Sequence, residues 1–184
     1  MSFTGCSQQR PRRLRGLQLR LSDLWRILLS LVLGRPSNFS RVEGDLFASG
    51  IPYGRRASEW LRRKGIRTVV NLTERRLGHE GIEEIWIPMK NGHPQPPERI
   101  HEAVLAVSES LKRGRTLVHC SAGLGRTGMV LSCYLIYSAG LSSDEALRRI
   151  RSLRRGSVSD RVQEECVRAY EAWLRQGARD ERLK

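Results

Sequence analysis

Between positions 116 and 138 the chain runs from a short apolar strand, Thr116 to His119, through a glycine-rich turn and into a strongly apolar helix, Arg126 to Ser138. From residue 37 onward the chain alternates strands with helices. Asp45 to Ser49 reads as a strand followed by the turn Gly50-Ile51-Pro52-Tyr53-Gly54. Ala57 to Lys64 is a short helix stopped by Gly65, and Arg67 to Leu72 is a β-branched strand. Glu83 to Ile87 alternates like another strand. Pro97 to Lys112 carries Ile100, Val104, Val107 and Leu111 at helical spacing, with Gly114 past its end. Beyond Gly140, Ser142 and Glu145 form a capping box for the helix holding Leu147, Ile150 and Leu153. A last helix holds Val162, Cys166, Tyr170 and Trp173. Alternation of this kind predicts an α/β fold: a mainly parallel central sheet flanked by helices on both faces.

At 184 residues the chain has a one-domain length with room for a core. The expected division is a basic amphipathic extension over 1–36, a catalytic domain over 37–176 and a charged tail over 177–184. The extension differs from the rest because Arg10, Arg12, Arg13, Arg15 and Arg20 precede its only acidic residue, Asp23. Leu17, Leu21, Leu24, Leu28 and Leu31 then repeat on one helical face, ended by Gly34 and Pro36. Arg26 makes the run too charged and too short to span a bilayer, and no small-residue cleavage site follows Leu33. A helix packed on its own domain, a membrane-surface or partner-binding helix through residues 17–33, and a targeting segment all remain open.

Net charge is +14, and only four of the 33 basic residues are Lys. Such a field attracts phosphorylated ligands, nucleic acid or anionic lipid, although an arginine bias also follows from genome composition or heat adaptation. The four cysteines, Cys6, Cys120, Cys133 and Cys166, lack metal-ligand spacing, so no metal or other cofactor is expected. A reduced, cytoplasmic chain is the simplest expectation.

The chemistry concentrates in Val118-His119-Cys120-Ser121-Ala122-Gly123-Leu124-Gly125-Arg126-Thr127-Gly128. A helix N-terminus offers free N–H groups and a partial positive charge, and therefore holds anions. A loop of successive N–H groups, Ser121 through Arg126, can wrap the non-bridging oxygens of a phosphate, with Gly123 and Gly125 allowing close approach. The same field favours thiolate over thiol and makes Cys120 a nucleophile. Arg126, six residues on, can grip two phosphoryl oxygens with its planar fork. Thr127 can donate its hydroxyl to the sulfur as it leaves. A buried cysteine beside an empty glycine turn is the alternative, and the strand-loop-helix setting argues against it.

This string resembles the protein tyrosine phosphatase superfamily signature HCxxGxxRTG, and roughly residues 37–175 resemble its compact dual-specificity members, especially the small single-domain kind of archaea. Leu46 to Tyr53, Asn71-Leu72-Thr73-Glu74 and the stretch Arg151 to Ser157 resemble further family segments, with Arg155 where proline is usual. The resemblance implies hydrolysis of phosphotyrosine, with phosphoserine and phosphothreonine as further substrates, on phosphorylated proteins and through a phospho-cysteine. It implies a structural His119 and a water-orienting glutamine at Gln163. It also implies a general acid on the loop after the strand ending Ile87-Pro88, and there the sequence has Asn91, which has no acidic proton. His93 and Glu98 are the nearby substitutes, while His93 and His101 are expected to be solvated. Two other readings follow: an RNA 5′-triphosphatase, whose polyphosphate leaving group needs little protonation, and a phosphate-binding module without turnover. The sequence leaves oligomeric state open.

Overall fold

The computed structural model describes residues 28 and 30–182, with side chains described to position 177. Leu17, Leu21, Leu24 and Cys6 lie outside the described residues. The sheet has five strands: β1 (Ser40–Glu43), β2 (Leu46–Ser49), β3 (Ile66–Asn71), β4 (Glu83–Trp86) and β5 (Arg115–His119). Their order is β1-β2-β5-β3-β4, with β2, β5, β3 and β4 parallel and β1 antiparallel to β2. The parallel body follows the expectation. Edge strand β1 was not expected, because Ser40-Arg41-Val42-Glu43 offers one buried valine and no run of β-branched residues.

Beyond β1 the described residues form the helices α1 (Gly54–Arg63), α2 (Pro97–Arg113), α3 (Gly125–Ala139), α4 (Ser143–Leu153) and α5 (Arg161–Arg182). Strand alternation decides which face meets which helix. Val69 and Leu117 join Leu61 of α1 under Phe39, Phe47 and Trp60. Val70 and Val118 face the larger core with Ile100, Val104 and Val107 of α2 and Leu131 and Leu135 of α3. Helix α3 packs against α2, α4 and α5 as well as β5. That surround explains its all-round apolar sequence.

Helix ends follow their punctuation. Gly140 caps α3 in the left-handed conformation at φ 66°, donating its N–H to Ile136 O. Ser142 and Glu145 form the capping box of α4. Helix α5 continues past position 176, where the charged tail was expected to begin, to Arg182. Among the described residues no helix is long and apolar enough to cross a membrane.

Residues 30–33 are helical, with Ser30 buried while Leu28, Leu31, Val32 and Leu33 are exposed. His101 departs from the expectation of a solvated side chain. It is half-buried, shares a 3.0 Å hydrogen bond with the Tyr170 hydroxyl, and packs beside Tyr137 and Trp173. Its pKa is lowered by that burial. His93 is exposed.

Candidate active site

Strands β2, β5, β3 and β4 are parallel, so the loops that leave them meet at one sheet edge. Open α/β sheets bind ligands at this edge. Loop 120–126 leaves central strand β5 and opens α3 with no side chain capping the helix.

The loop is held by its carbonyls. Ser121 O accepts from Ile51 N–H at 3.1 Å, and Ala122 O accepts from Asn38 Nδ2 at 2.8 Å. Gly123 O accepts from Arg154 Nη2 at 2.7 Å, and Leu124 O accepts from the N–H groups of Gly128 at 3.1 Å and Val158 at 3.4 Å. A trans peptide points its N–H opposite to its C=O. Fastening successive carbonyls outward therefore turns the amides inward, and no acceptor among the described residues takes an N–H from Ser121 through Thr127. The result is an anion-binding nest on a helix N-terminus.

Two glycines make this winding possible. Gly123 has φ +75°, and a Cβ there would lie 2.2 Å from Ser49 O. A Cβ on Gly125 would lie 2.5 Å from Gln163 Nε2. The contact places the buried Gln163 amide against the loop. Val158 supports the loop from behind at φ 51°, an uncommon conformation for a β-branched residue. Arg151 Nη2 holds its carbonyl at 2.8 Å and Glu164 at 2.6 Å.

Cys120 is 3% exposed at the base of the loop. His119 is fully buried, with Nδ1 3.4 Å from Cys120 O and Nε2 without a partner. Desolvation, reinforced by His79, lowers its pKa to about 3. It stays neutral and suits a structural role better than that of an acid. His79, also buried, contacts Ser58 Oγ at 3.1 Å and stands edge-on to His119. The Thr127 hydroxyl is buried without a hydrogen-bond partner among the described residues.

Arg126 is 2% exposed and its guanidinium is fixed at one corner. Nη1 donates to Met89 O at 2.7 Å, Glu74 Oε2 at 2.9 Å and Leu72 O at 3.2 Å. Nη2 donates to Ser121 Oγ at 2.8 Å, while Nε is buried and unpartnered. That leaves Nε–H and the second Nη2 hydrogen along one edge, a geometry that can pair with two oxygens of an oxyanion.

Asn91 is exposed on the loop after β4, and its N–H donates to Glu74 Oε1 at 3.0 Å. The structure thus brings Asn91 to the residue that holds Arg126. Gln95 ties the same loop by donating Nε2 to Lys90 O at 3.1 Å and His93 O at 3.0 Å. Glu98 is exposed in the first turn of α2. Among the described residues no cluster of three potential metal ligands exists, and Cys120, Cys133 and Cys166 are free thiols.

Sequence reasoning missed three supports: Asn38, Arg154 and Glu74. Each acts across a long sequence distance. The available signals were the two family-like segments themselves, Arg151 to Ser157 for Arg154 and Asn71-Leu72-Thr73-Glu74 for Glu74. Arg154 is buried, holds Ser40 Oγ as well as Gly123 O, and has its pKa lowered by desolvation against the charge of Cys120.

Comparison with known proteins agrees. Residues 53–171 match the family model "Dual specificity phosphatase, catalytic domain". The chain is 37% identical over 133 residues to protein tyrosine phosphatase domain-containing protein 1 of Danio rerio, covering 60% of this chain and 18% of that one. It is 31% identical over 104 residues to dual specificity protein phosphatase CDC14B of Mus musculus, covering 54% and 21%. It therefore spans about a fifth of these relatives' lengths. The crystal structure of Tk-PTP in the active form superposes with TM-score 0.67 at 28% identity, covering 73% of this chain and 97% of that one. A mouse putative dual specificity phosphatase complexed with zinc tungstate gives 0.68 at 26%, covering 78% and 92%. With its nest, thiol and guanidinium assembled on the matching fold, the chain belongs to the dual specificity phosphatase family of cysteine-dependent protein phosphatases.

Proposed function

We propose that this chain hydrolyses phosphotyrosine, and phosphoserine or phosphothreonine in accessible segments, through a phospho-cysteine on Cys120. The observation that carries the reading is the inward-facing run of free amides from Ser121 to Thr127 above a buried thiol. A phosphoryl group seated there has its non-bridging oxygens on the amides and on the open edge of Arg126. The Cys120 sulfur attacks phosphorus, the ester oxygen departs, and water then cleaves the S–P bond with Gln163 as its guide. Arg126 follows the equatorial oxygens through both transition states. Thr127 donates to the departing sulfur in the second step.

Turnover of nitrophenyl phosphate should proceed without added metal. Cys120→Ser should bind oxyanions but lose turnover by about 10³-fold or more, since a serine hydroxyl is a far weaker nucleophile at neutral pH. Arg126→Lys should lose at least about 10²-fold through the missing fork. Turnover that survives Cys120→Ser would exclude the covalent route. The second reading, an RNA 5′-triphosphatase, is favoured by Asn91 and by the arginine excess. A panel of phosphotyrosine peptide, phosphoserine peptide, phosphoinositide and triphosphate-ended RNA at one enzyme concentration separates the two. Preference for the RNA end by tenfold or more would displace the protein-phosphatase reading.

A further inference from the structure

Just before Gly34 the chain turns a polar side chain inward and apolar ones outward. Ser30 is 2% exposed, while Leu28, Leu31, Val32 and Leu33 are 52%, 48%, 62% and 65% exposed. Leu28 and Leu31 are the two members of the leucine stripe that fall within the described residues, so the stripe faces outward where it can be followed. A helix packed on its own domain would show the reverse. The other exposed large apolar side chains among the described residues, Leu105, Tyr137 and Leu153, come one each from α2, α3 and α4. The ridge is seated beside the first turn of α1. A Cβ on Gly54 would lie 3.6 Å from Leu31 Cδ2, and one on the buried Gly34 would lie 3.1 Å from Arg56 Cβ. Arg35 and Arg56 flank the ridge, exposed and without an acidic partner among the described residues. In sequence, the stretch from Arg10 to Arg26 adds further arginines against a single acid, Asp23.

We propose that the chain docks peripherally on anionic lipid surfaces, with Leu28, Leu31, Val32 and Leu33 at the boundary of headgroups and acyl chains and Arg35 and Arg56 against the headgroup anions. Such a surface takes aliphatic side chains below its headgroups and sets negative charge at the level of the flanking cations. A second copy of this chain would bring the same net charge of +14 to the contact, which opposes a dimer across the ridge. The residues after the ridge join it to the catalytic edge. Ser37 O accepts the Gly50 N–H at 2.7 Å, and Asn38 Nδ2 donates to Ala122 O in the loop around Cys120. Docking therefore brings that loop close to the lipid surface. Binding is read without turnover, so the proposal stands or falls separately from the phosphatase reading.

The test is sedimentation of the full chain with vesicles of phosphatidylcholine, alone or with about 30% phosphatidylserine. The anionic vesicles should bind at least about tenfold more tightly, and raising salt from about 0.1 M to about 0.5 M should weaken that binding by about tenfold or more. Leu28→Gln, Val32→Gln and Leu33→Gln together should weaken it by about tenfold or more, with Leu31 left in place beside Gly54. Arg35→Gln with Arg56→Gln should weaken it by about fivefold or more. Both variants change exposed side chains, so their thermal midpoints should stay within about 3 °C of the parent. Unchanged affinity in the triple variant would mean that the arginine-rich stretch merely adsorbs, and unchanged affinity in the double variant would remove Arg35 and Arg56 from the contact; either overturns the assignment. Equal binding to both kinds of vesicle would overturn it too, and binding to neither would leave the ridge to a protein partner. Self-association in sedimentation velocity that the triple variant abolishes would give the ridge to a second copy instead.

Discussion

Asn91 is the residue at which chemistry and sequence conflict. On the proposed route, phosphoryl transfer to Cys120 expels an alkoxide or phenoxide, and an amide cannot protonate it. Glu74, the carboxylate bonded to the Asn91 N–H, cannot stand in. The Asn91 N–H and the Arg126 guanidinium hold its pKa below the usual range, outweighing the desolvation that raises it, so it stays ionised at neutral pH. Rates in the parent chain should therefore depend steeply on leaving-group pKa, fast for nitrophenyl phosphate and slow for phenyl or alkyl phosphates. Asn91→Asp should flatten that dependence and speed poor leaving groups by about 10²-fold. The replacement should also add a falling limb at higher pH as the new carboxyl ionises. A series of aryl phosphates assayed with both enzymes gives the slopes. A flat slope in the parent would identify another donor, with His93 the first to replace.

At the level of elements, the active loop is a product of the segments around it rather than of its own sequence. Its carbonyls are held from the approach to β1, the turn after β2, the end of α4 and the link to α5. Arg154 reaches furthest in, closing both the Gly123 carbonyl and the start of β1. Arg154→Ala should remove these bonds and leave buried acceptors unsatisfied, costing about 2–4 kcal/mol of stability by analogy with other broken buried networks. The loosened Gly123 peptide should also lower kcat on nitrophenyl phosphate by about tenfold or more. Arg154→Lys should rescue little, since one ammonium cannot replace a fork that spans two elements. Urea midpoints and initial rates on the same preparations check both parts. A stable Arg154→Ala protein with parental kcat would show that Asn38, Val158 and Ile51 hold the loop without it.

Across the whole molecule, the buried imidazoles dictate how stability responds to acid. His119 has a folded-state pKa of about 3 against an ordinary 6.5, so between those values the unfolded chain binds a proton that the native state refuses. Stability should be fully present above about pH 6.5 and fall as pH drops, by about 1.4 kcal/mol per unit for that one proton through the middle of the window. His79, lowered by burial, acts in the same direction. Glu74 and Glu84 are held below their ordinary 4.5, so their contribution is present above that value and is lost below it. Urea midpoints should hold from pH 8 to about pH 6.5 and decline from there to pH 4, and His119→Gln should reduce that slope by about one proton. A flat profile in the parent would mean that His119 reaches solvent. Much of this molecule was legible in advance because it depends on local pattern. The periods of β3, β5, α2 and α3, the glycine stop at Gly140, the capping box at Ser142 and the run from His119 to Gly128 are properties of neighbouring residues, and they name the sheet type and the candidate nucleophile. Strand β1 was not legible, since four residues with one buried valine form a strand only because β2 offers an open edge. His101 was not either: its half-burial comes from Tyr137 and Trp173, which α3 and α5 bring to it. The same holds for Glu74, Asn38 and Arg154. Their partners lie 52, 84 and 31 positions away, and a hydrogen bond across such a distance has no trace in local periodicity. The sequence alone determined which run of residues forms the loop and what kind of scaffold carries it. Only the tertiary structure decided which way Arg126 faces and what holds the loop around Cys120, because orientation comes from contacts that exist only once distant segments have packed.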